Sequence, residues 1–111
     1  MDVDFGGLVD LATLRPNDTV HVRTGNSDYR LRVVDPHQGR VIVQGGSALT
    51  APVESDVFAM AGQCGVRRGR IAVGLGLEIL SGKGWVRTSR VRSIRVEREG
   101  ALPIGRPSAG G

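Results

Sequence analysis

Residues 19–35 read TVHVRTGNSDYRLRVVD, two alternating runs split by Gly25-Asn26. In the first run Val20 and Val22 share one face and His21 and Arg23 the other, the period of two that marks a half-buried strand. Gly25-Asn26 is a two-residue hairpin signal in which glycine supplies positive φ at the first position of a type II′ turn. That turn sets a register in which paired positions sum to 51. Val22 then faces Tyr29 and Val20 faces Leu31 on the apolar side, while Arg23 meets Asp28 and His21 meets Arg30 on the wet side. The apolar residues match across the hairpin, and one opposite-charge pair falls into place. Thr19–Thr24 and Asp28–Asp35 are therefore read as the first hairpin of an all-β domain.

The composition agrees. The chain has 111 residues, 40% of them hydrophobic, which suits one domain with a modest core. Its aromatic residues are Phe5, Tyr29, Phe58 and Trp85 alone, so Val, Leu and Ile must fill that core. Seventeen glycines favour short strands and turns over helices. No apolar stretch approaches the ~18 residues a membrane helix needs. The N-terminal MDVDFGG is acidic and lacks the basic flank of a secretory signal. Cys64 is the single cysteine, so no internal disulfide forms and a reducing cytoplasm is the expected setting.

The net charge of +4 is unevenly spread. Residues 1–18 carry −3, residues 19–98 carry +7, and the rest is neutral. A basic centre favours anionic partners. Fourteen of the fifteen basic residues are arginine, Lys83 being the exception. GC-rich codon usage produces the same bias without any binding role, so charge alone decides nothing.

The remaining elements follow from turns and periodicity. Residues 1–16 form an acidic N-terminal segment with a short helical turn in LVDLATLR (8–15), broken by Pro16-Asn17-Asp18. Asp35-Pro36-His37-Gln38-Gly39 is a turn in which Pro36 presets φ and Gly39 takes a left-handed exit. Arg40–Gln44 is a third strand. Residues 45–70 show no clean period and read as one long irregular loop, packed as a lid over an open end, with a helical turn at 54–61. Ile71, Val73, Leu75, Leu77 and Ile79 alternate as a fourth strand, with Gly74 and Gly76 on its other face. Ser81–Gly84 is a hairpin turn, Trp85–Thr88 a fifth strand, and 99–111 a flexible Pro/Gly/Ser tail. The β-domain proper spans 17–98.

VRTSRVRSIRV (86–96) resists this scheme. As one straight strand it would bury Arg90 and Arg92 and expel Val91, and burying unpaired guanidiniums is too costly. Val91 and Ile94 are three apart, the spacing of a 3₁₀ turn. The reading is a strand, a 3₁₀ turn capped by Thr88 or Ser89, and a last strand Ser93–Arg98 with Ile94 and Val96 inward. Strand, 3₁₀ turn, strand, after four meandering strands, resembles SH3-like barrels over residues 17–98. The resemblance implies a five- to six-stranded barrel and is one of pattern. The acidic first loop, paired aromatics and proline of peptide-binding SH3 domains are absent, so proline-rich peptides are not the expected ligand. VQGG (43–46), IAVGLGLEIL (71–80) and RTSRVRSIRV (87–96) together are also similar to small bacterial proteins, a resemblance that implies no activity.

No catalytic constellation is visible, and neither enzyme, metal nor cofactor is expected. His21 and His37 have no carboxylate or thiol at ligand spacing. Cys64 has Arg67 and Arg68 nearby but no base. Gly74-Leu75-Gly76 lacks the third glycine of a dinucleotide fingerprint and lies within a strand. The candidate binding residues are the arginines and their neighbours in three groups. Arg30 and Arg32 lie on the first hairpin, Arg67, Arg68 and Arg70 in the loop run, and Lys83, Arg87, Arg90, Arg92 and Arg95 beside Trp85. One reading is a non-catalytic module that grips a nucleic-acid backbone, RNA above all. Stacking by Trp85 or Tyr29 is disfavoured because both are more simply read as core. The other reading is protein–protein contact or homo-oligomer assembly through open strand edges. No membrane partner is expected.

Overall fold

A computed structural model of the chain describes residues 2–5, 7–60, 66–82 and 84–98, with side chains for 7–58, 68–82 and 84–98. Cys64, Lys83 and the 99–111 segment lie outside the described residues, as does the Arg67 side chain. The protein is all-β. Its N-terminal part holds β1 (Asp2–Phe5), β2 (Leu8–Asp10) and a 3₁₀ turn at Leu11–Thr13. A meander follows: β3 (Thr19–Thr24), β4 (Asp28–Asp35), β5 (Arg40–Gly45) and β6 (Leu49–Met60). Then come β7 (Val66–Arg68), β8 (Arg70–Ala72), β9 (Gly76–Ser81) and β10 (Gly84–Glu97).

The β3–β4 hairpin has the expected register, with Val22 opposite Tyr29, Val20 opposite Leu31, His21 opposite Arg30 and Arg23 opposite Asp28. The four apolar residues are buried, and Arg23 Nε donates to Asp28 Oδ1 at 3.1 Å. The turn itself is not type II′, because neither Gly25 nor Asn26 has positive φ. Thr24 replaces that device. Its hydroxyl accepts from the N–H groups of Asn26 and Ser27 at 3.3 and 3.1 Å and donates to Ser27 O at 3.0 Å. A local side chain thus satisfies the turn amides, and no left-handed residue is needed. The turn at 35–39 matches its reading, with Gly39 at φ 69° and the Asp35 carboxylate accepting from the His37 and Gln38 amides.

The antiparallel pairings return to their start. β3, β4, β5 and β6 pair in order, β9 pairs β6, β10 pairs β9, and β10 pairs β3. Two long strands make this closure, because each changes partner along its length. β6 pairs β5 through Leu49–Asp56 and β9 through Ser55–Ala59. β10 pairs β9 through Gly84–Arg90 and β3 through Val91–Glu97. Its C-terminal half also carries β1 on the remaining edge, with Val3 opposite Val96. β2 and β8 form a separate two-stranded sheet, Val9 opposite Ile71.

Three expectations are corrected. Residues 45–70 are not one irregular loop, and 54–61 contain no helical turn; β6 occupies 49–60. Its inward positions Leu49, Val53, Ser55 and Val57 include a polar residue, Ala51 is exposed, and Phe58 is buried on the other face, so the period of two is masked. The expected fourth strand is split at Val73–Leu75, where Gly74 sits at φ 91°, and its halves join different sheets. There is no 3₁₀ turn before the last strand. β10 instead runs unbroken with register shifts between Arg87 and Arg90 and between Val91 and Ser93. A β-bulge inserts one residue and resets which face the following side chains take. Val91, Ile94 and Val96 are inward as expected, while Arg90, Arg92 and Ser93 are outward.

The core lies inside the ring. Val20, Val22, Leu31, Val33, Val41, Val43, Val57, Leu77, Ile79, Val91, Ile94 and Val96 are buried in it, with Val9, Leu11, Leu14 and Ile71 packed from the N-terminal side and β8. Burial of each such side chain contributes roughly 1.5–3 kcal/mol, offset by ordering entropy. Gly45, at φ 151°, abuts Tyr29 so closely that an added Cβ would collide with Asp28 O and lie 2.7 Å from Tyr29 Cα. Gly74→Ala meets open space and strains only the backbone. Urea unfolding is expected to show Gly45→Ala destabilising by about 3 kcal/mol or more and Gly74→Ala by about 1–2 kcal/mol.

Candidate functional site

The outer face of β10, β3 and β4 collects the charged residues that the inward pattern excludes from the core. Alternation sends His21 and Arg23 of β3 outward, and Asp28, Arg30 and Arg32 of β4 likewise. Register then aligns them in rows. Arg95 lies opposite His21, His21 opposite Arg30, and Arg30 opposite Gln44 of β5. The next row runs from Glu97 through Thr19 to Arg32. On the other side of His21, Ser93 faces Arg23 and Arg23 faces Asp28.

The second bulge in β10 enlarges this face. Arg92 is the inserted residue between Val91, opposite Thr24, and Ser93, opposite Arg23. Both Arg92 and Ser93 are exposed, and the Arg92 guanidinium reaches the Gly25 turn, with Nε 3.7 Å from where a Cβ on Gly25 would stand. Five arginines, at 23, 30, 32, 92 and 95, therefore share one face with the carboxylates Asp28 and Glu97. Asp28 takes Arg23, and Glu97 Oε1 takes His21 Nε2 at 3.0 Å. Arg30, Arg32 and Arg92 make no ion pair among the described residues.

Two adjoining grooves cross the face. One, of about 590 Å³, is bordered by Arg23, Arg95, His21, Ser93, Arg30 and Gln44. The other, of about 480 Å³, is bordered by Arg32, Thr19 and Glu97 and shares Arg30 and Gln44 with the first. Together they form a continuous track with Arg30 at its middle. Guanidinium groups along such a track present fixed forks of N–H donors suited to phosphate or carboxylate oxygens.

Three of the other candidate arginines are occupied. Arg87 pairs with Glu78 at 2.6 Å, and Arg70 with Asp10 at 3.5 Å. Arg68 donates to Gln38 O, lies 3.6 Å from Asp56 and stands over the Phe58 ring at 4.7 Å. Arg40 bridges Asp56 and Glu54 at 3.3 and 3.4 Å. The hydrogen bond that Arg40 Nε donates to Asp56, then the charge of that carboxylate, hold the Arg40 guanidinium protonated even more firmly than is usual for arginine. Its raised pKa contributes stability that is present throughout the neutral range and lost only in strong alkali. Arg90 is exposed on the first half of β10, away from the grooves.

The two candidate stacking residues are placed differently. Tyr29 is buried with its ring over Gly45 and Gly46, as expected of a core residue. Trp85 is not core. It is 58% exposed, its ring 5.4 Å from that of Phe58 and tilted by 49°. The sequence missed this because Trp85 was assigned by hydrophobicity, whereas β10 turns it outward beside Phe58. It also missed His21, Arg23, Gln44 and Ser93 as groove residues. The hairpin register already placed His21 and Arg23 beside Arg30, but Gln44 and Ser93 required the pairings of β5 and β10.

Among the described residues no three His, Cys, Asp or Glu side chains converge as a metal site, and no helix is long and apolar enough to cross a membrane. No family model, curated protein or solved structure matches the chain. Asp56, with a side chain only 17% exposed, serves both Arg40 and Arg68, whereas Glu54 is more exposed and serves Arg40 alone. Asp56→Ala is expected to lower the urea unfolding free energy by about 1 kcal/mol more than Glu54→Ala.

Proposed function

We propose that the protein is a non-catalytic, cytoplasmic SH3-like barrel that binds a nucleic-acid backbone across the outer face of β10, β3 and β4. The closed order of antiparallel strands, with two bent strands shared between its halves, supports the barrel reading. The observation that carries the binding reading is that Arg30 and Arg32 on the track, and Arg92 outside the grooves on the same face, make no ion pair among the described residues. Phosphate recognition needs donors that no internal carboxylate has claimed, and these three arginines meet that need. Arg70 and Arg87 do not, so they act in the fold and not on the ligand. The buried ring of Tyr29 and the distance of Trp85 from the track along β10 leave no aromatic platform on this face among the described residues. Recognition is therefore of backbone charge and not of bases. His21 borders the first groove beside Arg30 and supplies a further donor when its contact with Glu97 leaves a ring N–H toward the groove.

The reading is tested by fluorescence anisotropy with single-stranded RNA and with duplex DNA at several salt concentrations. Binding is expected to weaken linearly in log–log form as salt rises. Replacing Arg30, Arg32 and Arg92 together by Ala is expected to weaken binding at least about tenfold and to lower the salt slope by roughly two to three. Replacing Arg70 and Arg87 is expected to leave both unchanged. Absence of binding to either polymer at low salt would sink the reading.

A further inference from the structure

We propose that the protein forms a two-fold homodimer through the free edge of the first half of β10, with Trp85 of each copy seated against Arg87 of the other. The inference starts from backbone direction. Across the β9–β10 hairpin, Gly84 faces Ser81, Trp85 faces Leu80, Val86 faces Ile79 and Arg87 faces Glu78. The pair that closes a two-residue hairpin loop is hydrogen-bonded, and hydrogen-bonded pairs alternate along an antiparallel ladder. Gly84 and Val86 thus point their amides and carbonyls at β9. Those of Trp85 and Arg87 point the opposite way. Among the described residues no strand pairs with that edge, since β3 takes it up only from Val91.

The edge also carries exposed side chains that match one another. Trp85, the only tryptophan in the chain, is 58% exposed and covered on one side by Phe58. The Arg87 side chain is exposed and held in place by Glu78. When two copies pair antiparallel with Val86 on the two-fold axis, Trp85 faces Arg87 of the other copy twice over. Each facing pair exchanges two backbone hydrogen bonds between the groups that point outward. The same register brings a guanidinium to the open side of an indole, a favourable cation–π arrangement. Sliding one pair toward Arg90 would set Arg87 against its own copy, which like charges disfavour. Complementarity therefore selects one register.

Two further features make the second copy the fitting occupant. The register shift between Arg87 and Arg90 ends the pairable stretch, so the edge closes on a copy of itself and does not propagate an open ladder. Among the other open edges, the one along Leu49–Glu54 of β6 is interrupted by Pro52, which has no N–H to donate. The dimer edge lies on the half of β10 remote from Arg92 and Arg95, so the assembly stands independently of nucleic-acid binding.

Sedimentation of the full chain up to about 1 mM tests the proposal, together with Trp85 emission and hydrogen exchange at high and low concentration. The expected result is a rise to about twice the 11.8 kDa chain mass. A blue shift of Trp85 emission should accompany it, with protection of the Trp85 and Arg87 amides that is lost on dilution. Arg87→Glu and Trp85→Ala should each weaken association at least about tenfold, and Arg30→Ala should leave it unchanged. Circular dichroism checks that each variant is folded. A monomer at every concentration would overturn the proposal, as would a dimer that survives both edge variants or leaves the two amides freely exchanging.

Discussion

β10 has to satisfy three partners with one backbone, and the rest of the molecule depends on how it does so. Its first half pairs with β9 on one edge, and its second half pairs with β3 on the other while still carrying β1. A regular strand with this sequence would drive guanidiniums into a core made of Val, Leu and Ile. Two bulges remove the conflict. Each inserts a residue, bends the strand and resets the alternation, so Val91, Ile94 and Val96 reach the core while every arginine of the run stays in water. The bending that closes the ring and the outward placement of Arg92 are one event.

How far the fold could be read from sequence depended on how locally each element was specified. The register of the β3–β4 hairpin was legible to the residue, because both faces are chemically distinct and only three residues separate the strands. Its turn type was not, since Thr24 does with a hydroxyl what glycine was expected to do with φ. β6 escaped notice because Ser55 stands where an apolar residue would have signalled a strand, and Phe58 is buried on the opposite face. The run 71–79 looked like one strand because its apolar period continues through the Val73–Leu75 turn, although Ile71 and Leu77 serve different sheets. In the 86–96 run the phase break was legible, but spacing alone could not distinguish a 3₁₀ turn from a bulge.

The candidate site was legible as a set of residue types and not as a surface. Sequence could say that arginines must be outside; it could not say which of them have a carboxylate at hand. That depends on cross-strand neighbours such as Glu78 beside Arg87, or Asp56 between Arg40 and Arg68, and these are fixed by register across strands far apart in the chain. Pairing with acids assigns Arg40, Arg68, Arg70 and Arg87 to stability and leaves Arg30, Arg32 and Arg92 on the β10–β3–β4 face. The basic character of the protein is thereby concentrated where net composition suggested only a diffuse excess.

The seam between β10 and β3 also governs how the molecule comes together in time. It joins strands from opposite ends of the described chain, and its His21–Glu97 contact spans 76 residues. Every other pairing within the ring joins strands nearer in sequence, so hairpins can form early while the seam must wait for the largest loop closure of the ring. Until it closes, the inward faces of β3 and β10 are exposed together. Refolding should be limited by this last docking step, and during synthesis the ring stays open until the final strand has emerged. The basic face is built across the same seam, so the surface proposed to bind is assembled only when folding is complete.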